Sequence, residues 1–232
     1  MRRFIDLHIN PLNERIKEML EKASELGYKG LGISTDLDLV ESVKGEASVL
    51  GLDIVSRVNL KPHNTNDLTK SLRRMRRSFE ILSVECSSRA IARQAAKDHR
   101  VDILRFPGEL QQRLKVRFDR QEANLAADLN CAYEVSLSDL LGKGPRVLSR
   151  LLSVMREEVQ NAEKFNAPIV VSSGADTPLL MREPRAMASM LSILGLDEEQ
   201  SLNAVSSHPW HIVSANRGKL GHGFVSPGLK VV

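Results

Sequence analysis

Short apolar runs alternate along this chain with longer amphipathic stretches. The runs fall at 4–7, 30–34, 53–58, 81–85, 102–105, 132–136 and 169–171. They are rich in Ile, Val and Leu, as strands covered on both faces are. Between them, apolar residues recur at three- and four-residue spacing. That periodicity predicts helices at 14–25, 38–50, 67–78, 88–98, 120–129 and 146–165, with two more at 185–194 and 197–206. In 67–79, Leu68, Leu72, Met75 and Phe79 share one face while Lys70, Arg73, Arg74 and Arg77 take the other. In 146–165 the inner stripe is Leu148, Leu151, Leu152, Met155, Val159 and Ala162. Pro145 stands in the first turn of that helix, where a missing N–H does no harm. Strands alternating with helices make a parallel sheet with right-handed crossovers. About seven such units predict an α/β fold, a TIM-barrel-like (β/α) barrel. An open doubly wound sheet is the alternative. The lack of an eighth run between the last two helices predicts a barrel short of full closure. The barrel domain is expected to occupy 1–217, followed by a flexible tail over 218–232 with its Gly-His-Gly and Ser-Pro-Gly.

Composition narrows the partners. Hydrophobic content of 42% and charged content of 27% are ordinary for a globular chain of 232 residues, which is long enough for a substantial core. Aromatic residues make up only 4%, which argues against a stacking platform for single-stranded nucleic acid. Net charge is +4, a mild lean towards acidic partners whose distribution matters more than its size. Cys86 and Cys131 form no C-x-x-C pair and are expected to be reduced, buried thiols. The start Met-Arg-Arg-Phe-Ile-Asp does not read as a signal peptide, and no apolar run is long enough to span a membrane. The expected location is cytoplasmic.

Candidate chemistry is of two kinds. Asp6-Leu7-His8 ends the first strand, where a barrel enzyme would hold a metal, and Asp36, Asp38, Glu85 and Asp176 also lie near strand ends. Yet Asn10 stands where the second histidine of a His-x-His pair would be, and His63 and His99 are isolated. Ser172-Ser173-Gly174 follows the last strand without the surroundings of a serine nucleophile. It is expected to be a tight turn facing a helix end or a phosphate. No catalytic residue and no metal site is expected. The second kind is cationic. Five of the eight residues at 70–77 are basic and none is acidic; a solvated outer face is the usual reading of a charge run, and the missing acids make RNA or another polyanion the alternative. Arg89 and Arg93 are four apart on a helix, Arg105 and Arg182 follow strands, and Arg185 opens the helix after Arg182; guanidinium forks there suit phosphate. Arg113, Lys115, Arg117 and Arg120 add to the scatter. Salt bridges to Glu85, Glu109, Glu122 and Glu183 are the competing use. His208-Pro209-Trp210-His211 is read as a helix stopped by Pro209, with Trp210 packed on the body.

The run IVVSSGADTPLLMREPRAMASMLSILGLDEEQSLNAVSSHPWHIVSANR resembles the C-terminal half of the archaeal and eukaryotic RNase P protein component 3 family. Its marks are the SSGA turn, R-x-P, a leucine-rich helix, LG, a second helix, and a late Pro with Asn. FIDLHIN and GYKGLGIS fit that family's opening strands, and VECSSRAIARQAAKDHRVDIL its middle strand–helix–strand. The resemblance implies a barrel related to the PHP phosphoesterases. It also implies an RNA-binding subunit of ribonuclease P, the ribonucleoprotein that removes 5′ leaders from precursor tRNA. RNase P RNA would then be the catalyst, acting with magnesium, and this chain would bring no cofactor. RNase P protein component 2 would be a partner. Arg182 and Arg185 carry over as RNA contacts, as do Arg89 and Arg93. A PHP-type metal-dependent phosphoesterase and a purely structural module are the alternatives.

Overall fold

A computed structural model describes residues 2–220 together with the strands Phe224–Ser226 and Leu229–Lys230. Seven parallel strands lie side by side in chain order: β1 (Ile5–Ile9), β2 (Gly30–Ser34), β3 (Asp53–Leu60), β4 (Ile81–Glu85), β5 (Ile103–Arg105), β6 (Ala132–Ser136) and β7 (Ile169–Ser172). Every predicted strand is present. The intervening helices are α1 (Ile16–Glu25), α2 (Leu37–Val49), α3 (Thr65–Met75), α4 (Arg89–Ala96), the short α5 (Leu110–Arg113), α6 (Arg120–Asp128) and α7 (Pro145–Phe165). After β7 come α8 (Pro184–Leu194), α9 (Glu198–Asn203) and α10 (Ser207–Leu220).

Local chemistry sets the ends of these helices. Asn64, Ser88 and Asp119 cap α3, α4 and α6 by accepting from first-turn N–H groups. Asp197 and Gln200 form a reciprocal capping box on α9. Asn166 and Gly195 take left-handed conformations to close α7 and α8. Helix α3 stops at Met75, short of the predicted 78. There Arg76 turns its guanidinium onto the carbonyls of Phe79 and Glu80 and onto Asp102 Oδ2 at 2.6 Å. Arg77 therefore sits in the turn after the helix.

The barrel nearly closes. At the upper part of the seam, Ile9 bridges Ala175, Gly174 N–H donates to the His8 carbonyl at 2.9 Å, and Asn10 N–H donates to Ala175 O at 2.7 Å. Lower down, the turn after α9 fills the gap where an eighth strand would lie. Ile5 N–H donates to Val205 O and Val171 N–H to Ala204 O. Strand β1 packs so tightly on β2 that a Cβ at Gly32 would come within 2.2 Å of the Leu7 carbonyl oxygen.

Two apolar regions result. The larger lies between the sheet and the surrounding helices. The smaller fills the N-terminal half of the barrel with Ile5, Leu7, Val55, Ile81, Ile103, Ala132 and Val170, and α10 plugs it from below with Ile212 and Val213. Pro209 lies in the first turn of α10, so it starts a helix where the sequence reading had it stop one. Trp210 does pack on the body. Its Nε1 donates to the Arg3 carbonyl, and the Arg3 guanidinium lies over its ring at 4.3 Å.

The expected domain boundary at 217 is also corrected, because α10 runs on to Leu220. Within the expected tail, β8 (Phe224–Ser226) pairs antiparallel with β9 (Leu229–Lys230), and 221–223, 227–228 and 231–232 lie outside the described residues. Cys86 and Cys131 are free thiols buried in the core. Among the described residues, no helix is long and apolar enough to cross a membrane.

Candidate functional site

In barrels of this kind the strand C-termini carry the chemistry. The inward positions there are polar: His8 on β1, Ser34 on β2, Arg57 and Asn59 on β3, Ser83 on β4, Arg105 on β5, Glu134 and Ser136 on β6, and Ser172 on β7. A register irregularity in β1 between Asp6 and Ile9 lets His8 face inward while Ile9 joins the outer core.

At the centre is an ion pair that the sequence reading did not single out. Arg57 Nη1 and Nη2 meet Glu134 Oε1 and Oε2 at 2.8 and 2.6 Å, with both side chains fully buried. The guanidinium also donates to Asn59 Oδ1, the Leu7 carbonyl and Ser83 Oγ, so all of its nitrogens are used. Ser172 Oγ donates to Glu134 Oε1 at 2.7 Å, and Arg105 approaches Oε2 at 3.4 Å. Burial alone would raise the Glu134 carboxyl. The Arg57 charge and hydrogen bonds, with Arg105, outweigh it and hold the group far below the usual carboxylate range.

His8 completes the cluster. Asn59 Nδ2 can only donate, so His8 Nε2, 2.9 Å away, accepts. The ring proton then sits on Nδ1, facing Glu134 Oε1 at 3.7 Å with no hydrogen bond made. Burial, followed by the Arg57 charge, holds His8 well below its normal pKa, so it is neutral. Asp6 points elsewhere, receiving the N–H groups of His8 and Ser173, and burial pushes its carboxyl up to about 6.

These residues do not fit a catalytic metal. A guanidinium fills the space beside Glu134, and the imidazole lone pair of His8 is taken by Asn59. Among the described residues, no three His, Cys, Asp or Glu side chains converge. Asp36, Asp38, Glu85 and Asp176 do not join Asp6 and His8 in one cluster.

The Ser172-Ser173-Gly174 turn corrects another expectation. Ser173 N–H donates to Asp6, Gly174 N–H to His8 O, and Ala175 N–H to Ser173 Oγ. Both serines are buried. The turn's donors knit the seam of the barrel, which leaves none for phosphate. Gly174 has φ +62°, and a Cβ there would lie 2.3 Å from Ser138 Oγ and 2.5 Å from Ser136 Oγ.

The cations divide into engaged and free. Arg105 faces the mouth between Glu134 and Asp139. Arg113 is wholly buried on Glu158 and the Tyr133 hydroxyl, and Arg117 pairs with Glu157. Arg93 reaches Glu122 at 3.4 Å, Glu85 pairs with Lys61 and Glu109 with Lys143, while Glu183 caps α8. Arg182 spends Nη1 on the carbonyls of Leu179 and Met181. Lys70, Arg73 and Arg74 on α3, Arg77 just beyond it, Arg89 on α4 and Arg185 on α8 are exposed and make no ion pair among the described residues. Strand residues Arg57 and Glu134 carried a signal that could have been used: each is a charge within an apolar run, which only a partner inside the barrel can explain.

Comparison with known proteins agrees with this geometry. The family model of RNase P subunit p30 matches residues 3–220. Ribonuclease P protein component 3 of Methanosarcina mazei is 28% identical, over 94% of this chain and 89% of its own length. The Methanosarcina barkeri protein of the same description is 29% identical, over 97% and 93%. Among solved structures, a chain from the cryo-EM structure of archaeal ribonuclease P with mature tRNA has the same fold. Its TM-score is 0.85 at 24% identity, covering 98% of this chain and 97% of that one. Aspergillus niger ochratoxinase shares the barrel more loosely, with a TM-score of 0.62 at 10% identity over 92% of this chain and 71% of its own.

Proposed function

The chain belongs to the RNase P subunit p30 family and is a ribonuclease P subunit, and from that premise we propose that it is the RNA-binding barrel of the enzyme that removes 5′ leaders from precursor tRNA. Its ligand is RNase P RNA, which performs the cleavage with magnesium, while this chain holds no catalytic residue and no cofactor. RNase P protein component 2 is its protein partner, and precursor tRNA is met within the holoenzyme, in the cytoplasm. The archaeal assembly that shares this fold holds mature tRNA, which supports the reading.

One observation carries the proposal: charge is balanced inside the barrel and unbalanced outside it. At the mouth, Arg57 and Arg105 are met by Glu134 and Asp139. On the outer surface, Lys70, Arg73 and Arg74 project from one helix, with Arg77 directly after it, and no carboxylate pairs with them among the described residues. Cations displayed this way release counterions when they meet phosphates, so binding weakens as salt rises. Arg89 and Arg185 add exposed charge, and Arg93, Arg105 and Arg182 have lesser roles because their own neighbours already engage them. Recognition rests on backbone and shape, because A-form grooves hide base edges. The filled mouth argues against the metal-dependent phosphoesterase.

The test is a salt titration of chain binding to fluorescent RNase P RNA. Replacing Lys70, Arg73 and Arg74 by Gln is expected to lower the slope of log affinity against log salt by about 2.1–2.7, at roughly 0.7–0.9 per lost phosphate contact. A wild-type chain whose RNA affinity ignores salt would overturn the proposal.

A further inference from the structure

The N-terminal end of the barrel, opposite the mouth, carries a second cationic surface. Arg3 precedes β1 and Lys29 precedes β2. The hydrogen bond from Lys29 N–H to the Phe4 carbonyl, at 2.8 Å, fixes the two side by side on one rim. A hollow of about 750 Å³ opens there, and Arg3, Lys29 and Arg185 line it together with Phe4 and Arg2. Arg2 is neutralised by Glu199 at 2.5 Å. Arg3, Lys29 and Arg185 are exposed and pair with no carboxylate among the described residues. The one acid lining the hollow, Glu183, is turned onto the N–H of Ala186 as a helix cap.

Two of the three cations are held in place. The Arg3 guanidinium lies over the Trp210 ring at 4.3 Å and that of Arg185 over Phe4 at 5.9 Å. An aromatic face orients a guanidinium without neutralising it, so the fork stays charged and available to an anion. A second hollow of about 600 Å³ shares Arg3 and Lys29 and continues towards Lys44 and Arg217. In that direction Arg217 is engaged by Asp53 and Glu80, and Lys44 by Glu41. The free positive charge is thus concentrated at Arg3, Lys29 and Arg185.

We propose that this rim is a track for an RNA phosphodiester backbone, with Arg3, Lys29 and Arg185 each taking a phosphate. Rigid cations around an open hollow fit a run of backbone phosphates better than a single small anion, which would find no enclosed cradle there. The inference rests on the RNA-binding function proposed above and adds a second binding surface to the face of α3. Its consequence is an orientation: RNA meets the barrel at the end plugged by α10, away from the salt-bridged mouth.

Salt titrations with RNase P RNA test the rim apart from the function. Lys29→Gln removes a cation that makes no aromatic contact. It is expected to keep the wild-type melting temperature and to lower the salt slope by about 0.7–0.9. Arg3→Gln with Lys29→Gln should lower it by about 1.4–1.8 and weaken binding most at low salt. A folded Lys29→Gln variant with the wild-type slope overturns the rim, even if it proves to have lost a protein partner, since the surface would then be a protein contact. Salt-independent binding by the wild-type chain overturns the function itself and is a separate result.

Discussion

Arg57 and Glu134, on strands β3 and β6, face one another inside the barrel and join through two parallel hydrogen bonds of 2.8 and 2.6 Å. Both are wholly withdrawn from water. A buried pair of this kind stabilises little relative to well-packed apolar residues, but removing one partner strands the other. Glu134→Gln or Arg57→Met should each cost about 3–5 kcal/mol. Arg57→Met combined with Glu134→Leu should recover most of that loss. Urea unfolding of the three variants checks this, and additive losses in the double variant would show that the two residues act separately.

His8 and Asp6 pull the acid stability in opposite directions. His8 stays neutral in the fold because of burial and the Arg57 charge. Below pH ~6.5 the unfolded chain takes up a proton there that the folded one does not, so this residue makes stability fall with pH by up to about 1.4 kcal/mol per unit. Asp6 is raised by burial to about 6. Between pH 6 and its ordinary value, the folded chain holds a proton there that the unfolded one lacks, so stability rises as pH falls. The two offset each other in that window. His8→Asn removes the first effect, and the variant should gain stability relative to wild type on going from pH 6.0 to 4.5. Identical pH profiles in urea unfolding would contradict this.

Asn216 fastens the plug. From α10 its Nδ2 donates to Glu80 O at 2.8 Å and to Asp102 Oδ1 at 2.7 Å. Asn216→Ala leaves those acceptors short of a donor and should cost about 1–3 kcal/mol. Thermal melts of the variant measure the loss.

Gly174 closes the seam at φ +62°, with Ser136 and Ser138 in the way of any Cβ. Gly174→Ala combines an unfavourable backbone region with a clash and should cost about 2 kcal/mol or more. A Gly174→Ala chain as stable as wild type in denaturant would mean that the seam adjusts freely.

The sequence made the seven strands legible because each crossover strand is covered on both faces and reads as an apolar run. The basic face of α3 was legible for the same reason: Leu68 and Leu72 face the core, which turns Lys70, Arg73 and Arg74 outward. Helix α10 was missed because Pro209 reads equally as a stop or a start, and because a helix that plugs a barrel end shows little amphipathic stripe. The role of Ser172-Ser173-Gly174 was missed because the demand for its N–H groups comes from Asp6 and His8, more than 160 positions away. Arg105 and Arg182 look like surface cations in the sequence, and only the fold brings Glu134 and the Leu179 carbonyl to them.

The central claim is that this chain serves an RNA catalyst and cleaves nothing itself. Precursor-tRNA cleavage, measured against magnesium concentration with RNase P RNA and protein component 2, with and without this chain, tests it most directly. The account predicts that adding the chain lowers the magnesium needed, that Arg182→Ala with Arg185→Ala weakens this effect, and that no product forms without RNA. Cleavage by the chain and a divalent metal alone, or a magnesium dependence that the chain leaves unchanged, would contradict it.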